Sequence, residues 1–198
     1  MEFELCFKTA DELSHLISSK QVSPVQVVEE HLRRIELLEP KLNSYISIMQ
    51  DSALKQAKEH ESEILGGTYR GPLHGIPWGA KDLLSVPGYK TTWGAMPYKD
   101  QILDEKGTVV KKLEEAGAIL VAKLTLGALA WGDVWYGGKT KNPWNLKQGA
   151  SGSSAGPGSA TAAGLVGFSI GSETLGSIVS PSTRNGVTGH RPSFGTVS

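Results

Sequence analysis

Apolar residues recur at helical spacing through the first third of the chain. Val27, Val28, Leu32, Ile35 and Leu38 fall on one face of a helix that Ser23-Pro24 opens and Pro40 is expected to end. A helix before it begins at Thr9-Ala-Asp-Glu12, a Ser/Thr-x-x-Glu pattern that caps its own first turn. A third is predicted over Asp51 to Leu65, stopped by Gly66-Gly67. Residues 9 to 66 therefore read as helical scaffold whose charged faces are solvated surface.

From Gly71 onward the texture changes to short apolar runs punctuated by glycine and proline. Ile76-Pro-Trp-Gly-Ala80 is strand-like and delivers Lys81-Asp82 at its end. Glu105 to Glu115 reads as a helix closed by Gly117, with Ala118 to Ala122 as a buried strand after it. A further helix is expected from about Gly156 to Leu165 and a strand from Phe168 to Ser172. Helix followed by apolar strand predicts an α/β fold in one domain, 1–198, with a helical region over 1–66 and an α/β core over 67–198.

Composition sharpens this in two places. Glycine occupies 24 of 198 positions, above its usual share of about 7%, which calls for many tight turns and close backbone approaches. Twenty basic against twenty acidic residues give zero formal charge, so neither a nucleic-acid footprint nor attraction to an anionic membrane is expected, and a partner should be small or neutral. No apolar stretch approaches the roughly 20 residues that span a bilayer. Met1 to Ala10 lacks the basic start and apolar core of a secretory leader. The single cysteine, Cys6, excludes an intrachain disulfide framework and a cysteine-based zinc site and fits a reducing compartment, so a cytoplasmic location is expected. Cys6 itself reads as a packed or partly exposed thiol, not a nucleophile.

The segment richest in chemistry is Gly149 to Ser180, where small residues surround the apolar run Ala162 to Ile170 and hydroxyls cluster at two separated points. A flexible linker has no reason to hold that apolar run, so the segment is expected to be a buried active-site element whose amides approach a ligand. Taken singly, its residues have plainer uses. Lys81 beside Asp82 is compatible with a solvated ion pair, and Ser153 and Ser177 with turns or helix caps. Ser154 either supports a catalytic group or caps the following helix. Glu173 either orients the loop before Ser177 or accepts from local amides. His74 is expected to fix a turn, because Leu175-Gly176-Ser177-Ile178-Val179 is not a nucleophile elbow that would pair with it. Trp131, Trp135, Tyr136 and Trp144 are expected to anchor the core more than to line a pocket.

Three motifs in order change the balance. Gly71-Pro-Leu-His-Gly-Ile-Pro77 with Lys81-Asp82, Gly152-Ser-Ser154, and Gly171-Ser-Glu-Thr-Leu-Gly-Ser-Ile178 together resemble the amidase signature family, and Arg34-Ile35, Ala53-Leu54 and Ala57 fit its helical start. The resemblance implies an amidase signature fold, a mixed β-sheet core covered by helices, here incomplete at the carboxyl end. It also implies a Ser-Ser-Lys triad with Ser177 as nucleophile, Ser153 as a bridging serine on a cis peptide, and Lys81 as base. The backbone amides of Thr174, Leu175, Gly176 and Ser177 would form the oxyanion hole, with Ser154 and Asp82 as supporting residues. A lysine base works only when neutral, so burial or nearby positive charge must lower its pKa from about 10.4, and the apolar run before Lys81 offers burial.

The same resemblance implies an amidohydrolase that passes through an acyl-enzyme, with a small-molecule amide as substrate and no metal or organic cofactor. It is compatible with a homodimer and gives no reason for direct nucleic-acid or membrane binding. This sequence departs from the family pattern at Leu175, where most relatives have glycine, and at Val179, where an arginine is common. The A subunit of the glutamyl-tRNA amidotransferase, which releases ammonia from glutamine, belongs to the same resemblance but usually carries an acidic pair where this chain has Gly127-Ala128. Family members are more than twice as long, so the chain reads as an amino-terminal fragment. A non-catalytic, amidase-like interaction module is the alternative of a different class.

Overall fold

Side-chain caps decide where the first two helices begin. The Thr9 hydroxyl accepts from the Glu12 amide at 3.1 Å while the Glu12 carboxylate accepts the Thr9 amide at 2.7 Å, starting α1 (Ala10–Ser18). Ser23 and Gln26 repeat the arrangement at α2 (Pro24–Leu42), where Pro24 stands at a position whose N–H no helical carbonyl would accept. The computed structural model describes residues 3–197. The expectations that fall on Met1, Glu2 and Ser198 lie outside the described residues.

Helix α2 does not end at Pro40 as the sequence suggests; it continues to Leu42 and closes on Asn43 in the left-handed conformation. Proline is tolerated so late because other groups hold the last turn. The Asn43 amide donates to the Glu39 carbonyl at 2.9 Å. The Glu39 carboxylate accepts the Ser44 amide, the Ser44 hydroxyl and the Tyr45 amide at 3.0, 2.6 and 2.9 Å. That clamp turns the chain into β1 (Tyr45–Ile48), a strand inside the stretch predicted to be helical, before α3 (Gln50–Leu65). Four residues between two helices are too few for a period of two to show.

The apolar run around Trp78 is β2 (Pro77–Lys81), buried at every residue. Helix α4 (Thr108–Glu115) leads through Gly117, at φ 80°, into β3 (Ile119–Leu124). This strand outruns its expected end at Ala122 because Lys123, the charge that marks that end in the sequence, is itself fully buried. Two small antiparallel ribbons follow, β4 (Val134–Trp135) with β5 (Gly138–Lys139) and β6 (Lys141–Asn142) with β7 (Asn145–Gly149). Helix α5 (Ala155–Ala162), strand β8 (Phe168–Ile170) and helix α6 (Val179–Asn185) complete the order. The main sheet runs β1-β3-β2-β8, with β1 antiparallel to β3 and the other pairs parallel.

Strand β3 shows why the layers form. Ile119 and Val121 pack with Val28, Leu32 and Ile35 of α2 and with Ala53 and Ala57 of α3, whereas Leu120 packs with Trp78, Ala80 and Val110 on the α4 side. Successive side chains on a strand point to opposite faces, so a continuous apolar run needs cover on both. Helix α5 lies on the α2 side and is bound there by Arg34, whose Nε donates to the Ala163 carbonyl at 2.7 Å. Its approach depends on Gly156: a Cβ there would lie 2.7 Å from the Ser44 and Thr125 carbonyl oxygens. The Gly156 amide donates to that Thr125 carbonyl at 3.0 Å. Because α5 sits this close to β3, the turn that precedes it falls beside the end of β2.

The tryptophans correct one expectation. Trp131 is 85% exposed and Trp144 73% exposed, so neither anchors the core. Among the described residues no helix is long and apolar enough to cross a membrane.

Candidate active site

Three parts of the chain meet at the Lys81 amine, which is fully buried at the carboxyl end of β2. Nζ lies 2.8 Å from the Ser153 hydroxyl and 3.0 Å from the Ser154 hydroxyl, both in the turn that leads into α5. It lies 2.9 Å from the Ser172 hydroxyl and 3.2 Å from the Ser172 carbonyl, just beyond β8. The Gly152–Ser153 peptide is cis. Burial pushes the Lys81 pKa down to about 7, against the upward pull of the Glu173 carboxylate. At that value a large share of the lysine is neutral at neutral pH, when Nζ has two hydrogens to donate and one lone pair to accept with.

Ser154 stands at the N-cap position of α5 but makes no side-chain cap. Its hydroxyl accepts from Lys81, donates to the Ser172 carbonyl at 3.2 Å and accepts the Ser172 amide at 3.3 Å. Sequence reasoning does not single out Ser172. The signal that could find it is its place at the end of a predicted strand, the edge at which parallel α/β sheets gather polar groups.

Ser177 is half-buried, and its carbonyl accepts the Ser154 amide at 3.1 Å, which fastens the two serine segments together. Its hydroxyl has no hydrogen-bond partner among the described residues. The loop around it is organised by Glu173, whose side chain is 2% exposed. One carboxylate oxygen accepts the Ile178 and Val179 amides at 2.7 and 2.9 Å. The Val179 amide, then those of Ile178 and Gly176, then Arg191, hold the Glu173 carboxyl down at about 2. The Gly176 amide thus faces Glu173, while the amides of Thr174, Leu175 and Ser177 donate to no acceptor among the described residues. Leu175 is 92% exposed, so its side chain projects from the loop without filling it.

Asp82 faces away from this cluster, as the residue next to Lys81 on extended backbone must. Its carboxylate pairs with Lys123 Nζ at 2.6 Å and accepts the Thr92 amide and hydroxyl at 2.7 and 2.6 Å. Lys123 also donates to the Lys90 carbonyl at 2.9 Å and to the Thr91 hydroxyl at 3.1 Å. Lys81 and Asp82 therefore do not form the solvated pair that adjacency suggests; Asp82 ties the 90–92 loop to the sheet.

His74 is committed elsewhere. Its Nδ1 accepts the Arg70 amide at 3.2 Å, which leaves the proton on Nε2, and Nε2 faces Glu63 at 3.2 Å. His60, Glu63 and His74 bring one ligand atom each within 4.8 Å of one another. Arg70, however, pairs with both Glu63 oxygens, and metal binding at His74 Nε2 would require the proton that its Arg70 bond places there to leave. These residues act as a polar clamp on the turn before β2. Cys6 is buried, and burial first, then Glu30, pushes its thiol up to about 12.

Known proteins share this arrangement of elements. The chain is 36% identical over 98% of its length to the A subunit of glutamyl-tRNA(Gln) amidotransferase from Carboxydothermus hydrogenoformans, and spans 41% of that relative's length. It superposes on peptide amidase from Stenotrophomonas maltophilia with a TM-score of 0.86 and 32% identity, covering 92% of this chain and 39% of the amidase. An amidase family protein from Bacillus anthracis gives 0.86 at 29% identity, covering 93% of this chain and 39% of that one. The family model for Amidase matches residues 26–198, a span that takes in the lysine, the serine turn and the Ser177 loop; the chain belongs to the amidase family.

Proposed function

We propose that this chain carries the amino-terminal catalytic portion of an amidohydrolase, with Ser177 as nucleophile, Ser153 as relay and Lys81 as base. The observation that carries the reading is the buried Lys81 amine, 2.8 Å from the Ser153 hydroxyl and with a pKa lowered by burial to about 7. Neutral Lys81 takes the Ser153 proton as Ser153 takes that of Ser177, whose hydroxyl, unpartnered among the described residues, turns onto Ser153 for the transfer. The Ser177 oxygen then attacks the amide carbonyl. Negative charge forms on the carbonyl oxygen, and the free amides of Thr174, Leu175 and Ser177 supply donors for it, with Gly176 shaping the loop. The proton held by Lys81 returns through Ser153 to the leaving nitrogen, the C–N bond breaks, and water releases the acyl group from Ser177. Ser154 and Ser172 hold the amine in place during both transfers.

The substrate in this reading is a small-molecule carboxylic amide. A serine-reactive phosphonate should label Ser177 in the wild-type chain and leave Ser177→Ala unlabelled; equal labelling of both sinks the reading. Peptide amidase, the named structural relative, favours a stand-alone enzyme. The name of the amidotransferase relative favours a second reading, release of ammonia from glutamine within a complex. Glutamine-dependent ammonia release that requires copurifying subunits would select it.

A further inference from the structure

We infer that Arg191 is a positioning residue for the Ser177 loop, acting through Glu173. The inference rests on Ser177 being the nucleophile. One carboxylate grips the chain on both sides of Ser177: Glu173 faces the Gly176 amide before it and accepts the Ile178 and Val179 amides after it. Those amides are held in a fixed arrangement only if the Glu173 side chain keeps a single rotamer. Arg191 Nη1, 3.1 Å from the other Glu173 oxygen, is the side chain that holds that end.

The chemistry explains why a cation is needed here. Glu173 is almost fully covered, and a covered carboxylate without a counter-charge is costly. Three backbone amides satisfy its lone pairs but carry no net charge. Arg191 supplies the charge from a segment beyond α6, with its own side chain largely in solvent. A guanidinium fork suits this role because it can meet a carboxylate and still hydrogen-bond water. Glu173 is also the charged group that acts on Lys81. Arg191 therefore tempers the field at the base as well as the shape of the loop.

The test uses the whole 198-residue chain. Arg191→Ala should slow the maximal rate of phosphonate labelling by roughly three- to tenfold, the scale of a charge-assisted bond with one partner in water, while reversible affinity for the phosphonate stays unchanged. The midpoint of the labelling rate against pH should move upward, because Glu173 then acts on Lys81 without its counter-ion. Arg191→Lys should restore most of the rate. A drop in rate that lysine does not rescue, or an unmoved pH midpoint, overturns the inference. Hydrogen exchange at the Ile178 and Val179 amides is the independent measurement: it should accelerate in Arg191→Ala and stay slow in Arg191→Lys. Unchanged exchange in Arg191→Ala overturns the inference even if Ser177 is never labelled. Absence of wild-type labelling with accelerated exchange in Arg191→Ala would reject only the assignment of Ser177.

Discussion

Lys81 and Ser172 meet at 2.9 Å although they stand at the ends of different strands, β2 and β8. Those strands are parallel neighbours, joined at Trp78–Phe168, Gly79–Ser169 and Ala80–Ile170. Parallel pairing delivers both residues at the same edge of the sheet, where the Ser153 turn meets them. The Lys81 amine thus sits among three hydroxyls contributed by two separate segments.

The pH dependence follows from the lowered Lys81 pKa. In the proposed mechanism the active form is the neutral amine, so the rate of Ser177 labelling should rise as pH increases through about 7 and then level off. A stopped-time labelling series from about pH 5 to about pH 9 brackets that midpoint. A midpoint near the ordinary lysine value would contradict the burial argument.

Replacing Lys81 should separate Ser177 labelling from stability. Lys81→Met is expected to lower the labelling rate by about two to four orders of magnitude, the range for losing a positioned base. It should also stabilise the fold near pH 6 by roughly 1 to 4 kcal/mol, since a methionine needs no hydration. The sign follows from linkage. The folded pKa lies below the unfolded one, so the burden on the wild type is full below about 7 and lifts as pH rises toward the unfolded value. Urea unfolding at about pH 6 and about pH 9 should show the advantage of the variant shrinking.

The Asp82–Lys123 pair should behave in the opposite way. Both side chains are fully buried, so Lys123→Met strands a carboxylate and should destabilise by about 3 to 5 kcal/mol. Asp82→Asn combined with Lys123→Met should recover part of that loss. A double-mutant cycle in urea measures the coupling, and strictly additive effects would show that the pair does not act as a unit.

Gly156→Ala tests the seat of α5. The added methyl meets backbone at Ser44 and Thr125, which cannot swing aside as a side chain can, so a loss of about 3 kcal/mol is expected. Thermal unfolding reads the stability. Phosphonate labelling should fall with it, because the Ser153 turn moves with the helix.

Cys6 should resist iodoacetamide at about pH 8 in the native chain and react once urea exposes it. A thiol held at about 12 is almost wholly protonated there. Mass spectrometry of the alkylated chain distinguishes the two cases.

Much of this is legible from side-chain chemistry alone. The capping boxes at Thr9 and Ser23 mark helix starts because a few neighbouring residues decide them. Lys81, Ser153 and Ser154 are legible through motif order, and the structure brings those three together. What stays hidden depends on distant partners. Lys123 reads as the end of a strand because its counter-charge, Asp82, lies far back in the chain. Pro40 reads as a helix stop because the Glu39 clamp on Ser44 and Tyr45 acts across a turn that helical spacing does not show. Trp131 and Trp144 are expected inside because size alone favours burial, and only the fold shows which loops carry them outward.

The same β2–β8 pairing determines when reactivity exists. A lysine in an unfolded chain carries a proton at neutral pH and an isolated serine hydroxyl is inert, so a nascent or denatured chain has the groups without the chemistry. Docking of β8 and the serine turn around Lys81 dries the amine and lowers its pKa. These contacts join residues 72 and 91 positions apart in the chain, so they require loop closures that the hydrogen bonds within a helix do not. Under the proposed mechanism, the nucleophile therefore exists only once the fold that directs it is in place.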